Sequence, residues 1–145
     1  AGDVYKRQVI EYNVRMGDPE TQVVLPRINS DFLELLNSVH TGSLRSHDLK
    51  VNENSAATVV MVSGGYPETY EKNMEIKGLD KVKKSKVFHA GVTKEKGLLK
   101  TNGGRVLAVT SLGENINSAL ETSYSSIRKI RFENQYYRKD IGFDL

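Results

Sequence analysis

The chain has 145 residues, of which 38% are hydrophobic and 27% are charged, and its formal net charge is +3. This length allows one domain, or two small pieces, with a real core, and the composition excludes an intrinsically disordered chain. The chain contains no cysteine, which excludes disulfides, thiolate metal sites and thiol catalysis. Because no apolar run is long enough to cross a bilayer, we expect no membrane partner. The lack of cysteine fits the cytoplasmic location that we expect.

The N-terminal end reads AGDVYKRQ and does not begin with Met. Its residues 3–8 match the translation of a common sequencing-library adapter. We therefore expect residues 1–8 to be a non-native segment and leave them out of the fold prediction. The alternative is a short natural lead-in to the strand that follows.

Residues 9–22, VIEYNVRMGDPETQ, begin as a predicted strand and end in a predicted tight turn with Pro19 at the first position of a helix. Because alternate strand residues face opposite sides, Glu11, Asn13 and Arg15 share one face. The apolar residues expected to pack on the other face are Ile10, Tyr12 and Val14. Carboxylate and amide oxygens suit magnesium, and a guanidinium fits phosphate. A solvated polar face is the commoner cause of such a pattern, so the residues alone leave both possibilities open.

Two helices are predicted next. The first, over residues 21–25, is short because Pro26 removes a helical hydrogen bond. The second begins at a cap formed by Ser30 or Asp31 and stops near Gly42. Its apolar residues recur on one face, which we expect to be core: Phe32, Leu35, Leu36 and Val39.

Strands and one long helix are predicted in the remainder of the chain. Strands are expected over residues 56–63, 74–76 and 86–92. The Asn-Gly pair at 102–103 predicts a hairpin between strands 98–101 and 105–110. A helix over residues 114–129 repeats apolar side chains at three- and four-residue steps and should pack on the sheet.

Two side chains of these strands could carry chemistry. Arg105, next to two glycines, is either an anion contact or a residue that caps the turn or pairs with a surface carboxylate. His89 either approaches a domain interface or is a structural histidine. The lysines of residues 81–86 have no aromatic residues between them, which favours a solvated loop and no nucleic-acid partner.

Residues 11–22 resemble the signature of the glycinamide ribonucleotide synthetase (phosphoribosylamine–glycine ligase) family, ATP-grasp enzymes of purine biosynthesis that carry E-[YF]-N-[VA]-R-[FM]-G-D-P-E-T-Q. Further blocks similar to that family follow in the same order. They are GGYP at 64–67, VFHAG at 87–91, TNGGRVLAVT at 101–110 and YRKDIG at 137–142.

The resemblance implies an α/β fold in the α+β sense. Residues 9–48 would be the end of the ATP-grasp body, and residues 49–145 a C-terminal domain of mostly antiparallel sheet with one long helix. It also implies a ligase that joins glycine to 5-phosphoribosylamine with ATP as co-substrate, monomeric when intact. The family's enzyme is much longer than this chain, so we expect the chain alone to be inactive.

Site residues follow from the same resemblance. Glu11 and Asn13 match the family's ligands for Mg²⁺ or Mn²⁺, and Arg15 would act electrostatically at the phosphates. Further substrate or phosphate contacts are expected at Asp18, Glu20 and Arg105.

Two alternatives stay open at this point. One is another ATP-grasp ligase or carboxylase, against which the GDPETQ block and the YRKDIG tail argue. The other is a non-catalytic binding module that keeps the C-terminal fold.

Overall fold

The computed structural model describes residue 12 and residues 14–144. Within these residues, three α-helices and five strands form in the order α1 (Glu20–Val24), α2 (Phe32–Thr41), β1 (Ser55–Val62), β2 (Lys86–His89), β3 (Val92–Glu95), β4 (Leu98–Thr101), β5 (Arg105–Gly113) and α3 (Ile116–Ile127). Short 3-10 turns lie at Leu25–Arg27, Leu44–Ser46 and Leu79–Lys81. The predicted fold class, mostly antiparallel sheet with one long helix, is confirmed.

The core is built on β5, the central strand of an antiparallel sheet in the order β1-β5-β2. Residues 106–111 of this strand are buried. Helix α3 packs on β5 and β1, as its apolar spacing predicts, and begins with a capping box at Asn115. The fully buried apolar side chains include Met61, Leu107, Ile127 and Ile130.

The predicted hairpin between residues 98–101 and 105–110 is wrong. The hairpin is formed by β3 and β4, and its two turn residues, Lys96 and Gly97, have φ of 49° and 85°. Two positive φ values match the turn type whose twist suits a two-residue hairpin. Residues 102–104 instead carry the chain from this small sheet to β5.

A close approach of two glycines explains that crossing. The main-chain N–H of Asn102 donates to the carbonyl of Gly91 at 2.7 Å, and the N–H of Gly91 donates to the carbonyl of Arg105 at 2.8 Å. A Cβ on Gly91 would lie 2.6 Å from the Cα of Gly103. The strand predicted over 86–92 is therefore divided here into β2 and β3. The weak strand at 74–76 is an isolated bridge in which Glu75 pairs with Lys100 of β4.

Helix α2 is capped by Asp31, one of the two residues predicted for that role, and stops at Gly42 as predicted, in a left-handed conformation, but its apolar stripe is not core. Phe32, Leu36 and Val39 are 40%, 53% and 61% exposed. The physical reason is that α2 packs chiefly on the turn Leu44–Ser46 and turns Leu35 and Ser38 toward the protein. Periodicity identifies an apolar face and leaves open what covers it.

The start of the signature also differs from expectation where it is described. Tyr12 and Val14, predicted to pack, are 86% and 98% exposed. Pro19 precedes α1 and is not its first residue. Residues 27–29 pair with residues 50–52 across the predicted boundary at residue 48, through the bridge from Ile28 to Val51. That domain boundary stays a prediction.

Candidate substrate cleft

The predicted metal ligands, Glu11 and Asn13, lie outside the described residues, so their role stays a prediction. Within residue 12 and residues 14–144, no group of three or more histidine or carboxylate side chains is placed to hold a metal ion. The other four predicted site residues are described, and two of them, Asp18 and Arg105, contact each other.

The signature loop, which we define as residues 16–22, is held together by its own polar groups. The Gly17 carbonyl accepts from the N–H of Thr21 at 2.9 Å and from its hydroxyl at 2.7 Å. The Glu20 carboxylate accepts from the N–H of Gly17 at 2.9 Å. The amide of Gln22 donates to Oδ1 of Asp18 at 2.8 Å. Glu20 and one oxygen of Asp18 are thus used to fix the shape of the loop.

The loop is fastened to β5 at two points. Arg105 donates from Nη1 to the carbonyl of Asp18 at 3.0 Å, and its Nη2 lies 3.2 Å from Oδ2 of Asp18. Farther along the strand, the Thr110 hydroxyl donates to the carbonyl of Gln22 at 2.9 Å. Of the two roles open to Arg105, pairing with a carboxylate is therefore present in the structure.

A cleft of about 650 Å³ lies between the signature loop and the ends of β2 and β5. It is lined by Arg15, Met16, Gly17, Asp18, Thr21, Gln22, Phe88, His89 and Arg105. The structure thus brings together three predicted site residues, Arg15, Asp18 and Arg105. Glu20 braces the loop behind them.

Two polar side chains of the cleft remain largely available. Arg15 is exposed and donates to the carbonyl of Met16 at 3.0 Å. His89 is exposed, and its side chain has no hydrogen-bond or ion-pair partner among the described residues. The buried Oε1 of Gln22 also has no partner there. The sequence singled out His89 but gave it no site role. It gave no role to Thr110, whose only signal is a hydroxyl in a mostly apolar strand.

The C-terminal tail packs back on its own domain, as a charged tail with paired aromatics usually does. The Tyr124 hydroxyl of α3 donates to the carbonyl of Arg138 at 3.0 Å and accepts from the N–H of Ile141 at 3.2 Å. Arg138 forms a bidentate pair with Asp140, donating from Nε to Oδ1 at 2.9 Å and from Nη2 to Oδ2 at 2.8 Å. Hydrogen bonding from Arg138 holds the pKa of the Asp140 carboxyl below its usual value.

Comparison with known proteins gives consistent matches. Residues 56–144 match the family model described as Phosphoribosylglycinamide synthetase, C domain. The chain is 46% identical over 145 residues to the phosphoribosylamine–glycine ligase of Fusobacterium nucleatum, a match that covers 97% of this chain and 33% of that protein. It is 45% identical over 139 residues to the trifunctional purine biosynthetic protein adenosine-3 of Homo sapiens, a match that covers 94% of this chain and 14% of that protein.

A solved structure agrees. The crystal structure of phosphoribosylamine–glycine ligase from Thermotoga maritima superposes with a TM-score of 0.73 at 34% identity, covering 91% of this chain and 32% of that chain. The chain therefore spans about a third of the length of the ligases it matches. The family resemblance inferred from the sequence is confirmed.

Proposed function

Because the chain belongs to the phosphoribosylglycinamide synthetase C-domain family, we propose that it supplies one side of the active site of a phosphoribosylamine–glycine ligase. The reaction joins glycine to 5-phosphoribosylamine, with ATP as co-substrate, in purine biosynthesis. The observation that carries the proposal is the signature loop fastened to the matched domain through Arg105 and Thr110.

Arg15 supports this role through its position. It lies in the cleft on the loop side, is exposed, and among the described residues forms no ion pair. A guanidinium held there can stabilise the negative charge of a transferring phosphoryl group or an acyl phosphate without moving a proton. Arg105 and Asp18 hold the loop and are candidates for a substrate contact once a ligand competes for the guanidinium.

A divalent ion, Mg²⁺ or Mn²⁺, would neutralise phosphate charge in this reaction. The donor set proposed for it is Glu11 and Asn13, a carboxylate and an amide that suit a hard cation. That assignment rests on the sequence match. The proposed ligands of the intact enzyme are glycine, 5-phosphoribosylamine and ATP. We also propose that the intact enzyme is a monomer and is located in the cytoplasm. No helix in the described residues is long and apolar enough to cross a membrane.

A transplant tests the proposed function. Residues 9–145 of this chain replace the matching third of the Thermotoga maritima ligase, and ADP release is measured with and without glycine and phosphoribosylamine. We expect the chimera to turn over and the 145-residue chain alone to release no ADP above background. A folded chimera that is inactive beside an active parent would contradict the proposal and favour a binding module. ADP release by the chain alone would contradict the expectation that it is inactive.

A further inference from the structure

Four residues close a ring of contacts between the signature loop and β5. The guanidinium of Arg105 contacts Asp18 through both of its Nη atoms. Oδ1 of Asp18 accepts from the side-chain amide of Gln22 at 2.8 Å, and the Gln22 carbonyl accepts from the Thr110 hydroxyl at 2.9 Å. Because Arg105 and Thr110 belong to one strand, the loop is held at two points of a single rigid element.

The direction of the Thr110 side chain follows from its place in the strand. The next residue, Ser111, has its Oγ 2.9 Å from that of Ser123 in α3. Since successive strand side chains face opposite sides, Thr110 faces away from α3, toward the side of the sheet on which α1 packs. Its hydroxyl therefore plays no part in the packing of α3 on the sheet.

The hydrogen-bond chemistry of Thr110 fixes which group donates. Thr110 pairs with Thr58 of β1, and the two Oγ1 atoms lie 2.8 Å apart. A hydroxyl carries one proton, and the Gln22 carbonyl can only accept. When Thr110 donates to that carbonyl, the proton between the two hydroxyls belongs to Thr58. The two threonines thus form a relay that ends on the signature loop.

The two attachments of the loop differ in their exposure to solvent. The side chains of Arg105 and Asp18 are 43% and 47% exposed, so water and salt screen their attraction. Thr110 is 2% exposed, so water does not readily take the place of its hydroxyl. The attachment through Thr110 is therefore the harder one to replace, and it does not depend on salt.

We propose that Thr110 is a positioning residue of the ligase site. Its hydroxyl holds the signature loop on β5, so that Arg15, the residue directly before the loop, is presented to the cleft. A charged group that acts on a transition state must be placed closely, and a small displacement lowers the rate. The effect on turnover rests on the proposed function, whereas the hold on the loop rests on the contacts of Thr110.

Hydrogen exchange in the 145-residue chain tests the hold on the loop without any activity. The reporter is the N–H of Thr21, which is bonded to the Gly17 carbonyl inside the loop. Thr110→Val removes the hydroxyl and should speed this exchange at least about fivefold, because local opening no longer breaks the bond to β5. Thr110→Ser keeps the hydroxyl and should stay within about twofold of the wild type.

The matched control is a second buried threonine. Thr101 of β4 is 1% exposed, and its hydroxyl accepts from the N–H of Met74 at 3.1 Å. Thr101→Val therefore also removes a buried hydroxyl, but one that has no hydrogen bond to the signature loop among the described residues. The exchange of Thr21 should stay within about twofold of the wild type in this variant. Amide spectra establish that each variant is folded.

The chimeric ligase tests the effect on turnover. Thr110→Val should lower kcat for glycine-dependent ADP release at least about tenfold and leave KM for ATP within about twofold, because placement acts on the transition state. Thr110→Ser should restore kcat to within about threefold, and Thr101→Val should keep it. Thr110→Cys, whose S–H is a weaker donor, is a milder variant that should fall between Ser and Val.

Three results would overturn the positioning role: unchanged Thr21 exchange in Thr110→Val, an equal effect of Thr101→Val, or no recovery in Thr110→Ser. These outcomes are separate from those of the ligase assignment. A folded but inactive parent chimera would remove the proposed function and leave the hold on the loop to the exchange measurement. An active chimera in which Thr110→Val keeps the parent kcat would remove the positioning role and leave the function.

Discussion

The Nη2 atom of Arg105, at the first residue of β5, lies 3.2 Å from Oδ2 of Asp18, while Nη1 of the same guanidinium donates to the Asp18 carbonyl at 3.0 Å. The two residues are 87 positions apart in the sequence. The signature loop is thus joined to the matched domain by a side chain that the sequence left between two roles.

The first prediction concerns this pair. Both side chains are about half exposed, so solvent screens their attraction. Arg105→Ala should lower the free energy of unfolding by about 1 kcal/mol or less, and a double-mutant cycle with Asp18→Ala should give a coupling of about 0.2–1 kcal/mol. Urea unfolding measures both. A coupling near zero would show that the contact does not hold the loop in solution.

The second prediction concerns the glycine crossing. Gly91→Ala places a Cβ 2.6 Å from the Cα of Gly103 and 2.7 Å from the carbonyl oxygen of Arg105. Since both of these contacts are with backbone atoms, we expect the free energy of unfolding to fall by about 1–3 kcal/mol. Gly97→Asn is the matched control, because it has open space around it and Asn tolerates a left-handed turn. Equal stability of the two variants would contradict the close approach of Gly91 to Gly103 and Arg105.

The third prediction concerns a buried hydroxyl cluster between β5 and α3. Ser123 donates to the Ala57 carbonyl at 3.1 Å, and its Oγ lies 2.9 Å from that of Ser111. Ser123→Ala leaves that buried carbonyl without this donor and should cost about 1–3 kcal/mol of unfolding free energy. Ser125→Ala, on the same helix, has no side-chain bond among the described residues and should be near neutral. An unchanged free energy of unfolding in Ser123→Ala would show that the hydrogen bonds of this hydroxyl contribute no net stability.

The fourth prediction concerns pH. The pKa of Asp140 is lowered chiefly by hydrogen bonding from Arg138. A carboxyl whose pKa is lower in the folded state stabilises the fold above its unfolded pKa, and this contribution is lost as the pH falls through the folded pKa. Carbon-detected NMR titration should therefore show Asp140 protonating at lower pH in the wild type than in Arg138→Gln. Identical titration curves would show that the bidentate pair does not persist in solution.

The fifth prediction concerns the exposed stripe of α2. Leu36 is 53% exposed, so Leu36→Gln should change the free energy of unfolding by less than about 0.5 kcal/mol. Leu107, at 0% exposure in β5, provides the contrast, since Leu107→Ala should cost about 2–5 kcal/mol. A loss of several kcal/mol of unfolding free energy in Leu36→Gln would show that this face of α2 is buried, as the sequence predicted.

Local signals predicted local structure well. The cap at Asp31, the stop at Gly42 and the spacing of α3 are properties of a few neighbouring residues, and all were correct. The prediction of a hairpin between residues 98–101 and 105–110 was wrong because an Asn-Gly pair favours a turn without specifying which strands it joins. Two glycines that are distant in sequence, Gly91 and Gly103, decide the path instead.

The candidate site shows the same division. The sequence named Arg15, Asp18 and Arg105 as candidate site residues, and the structure places these three side chains around one cleft. Their roles stay predictions. That Asp18 and Arg105 engage each other could not be read from the sequence, because their contact depends on the packing of the loop against β5. The same packing exposes His89 beside them.

The most direct test of the account compares two arginines in the chimeric ligase. Arg15→Gln removes the guanidinium of the cleft that has no ion pair among the described residues, and Arg45→Gln removes an exposed guanidinium in the turn Leu44–Ser46. The measurement is kcat/KM for glycine-dependent ADP release. We predict a loss of at least about 100-fold for Arg15→Gln and less than about twofold for Arg45→Gln, because charge stabilisation in a site acts on the transition state. Equal activity of the two folded variants would contradict the claim that Arg15 and the cleft it lines form part of a ligase active site.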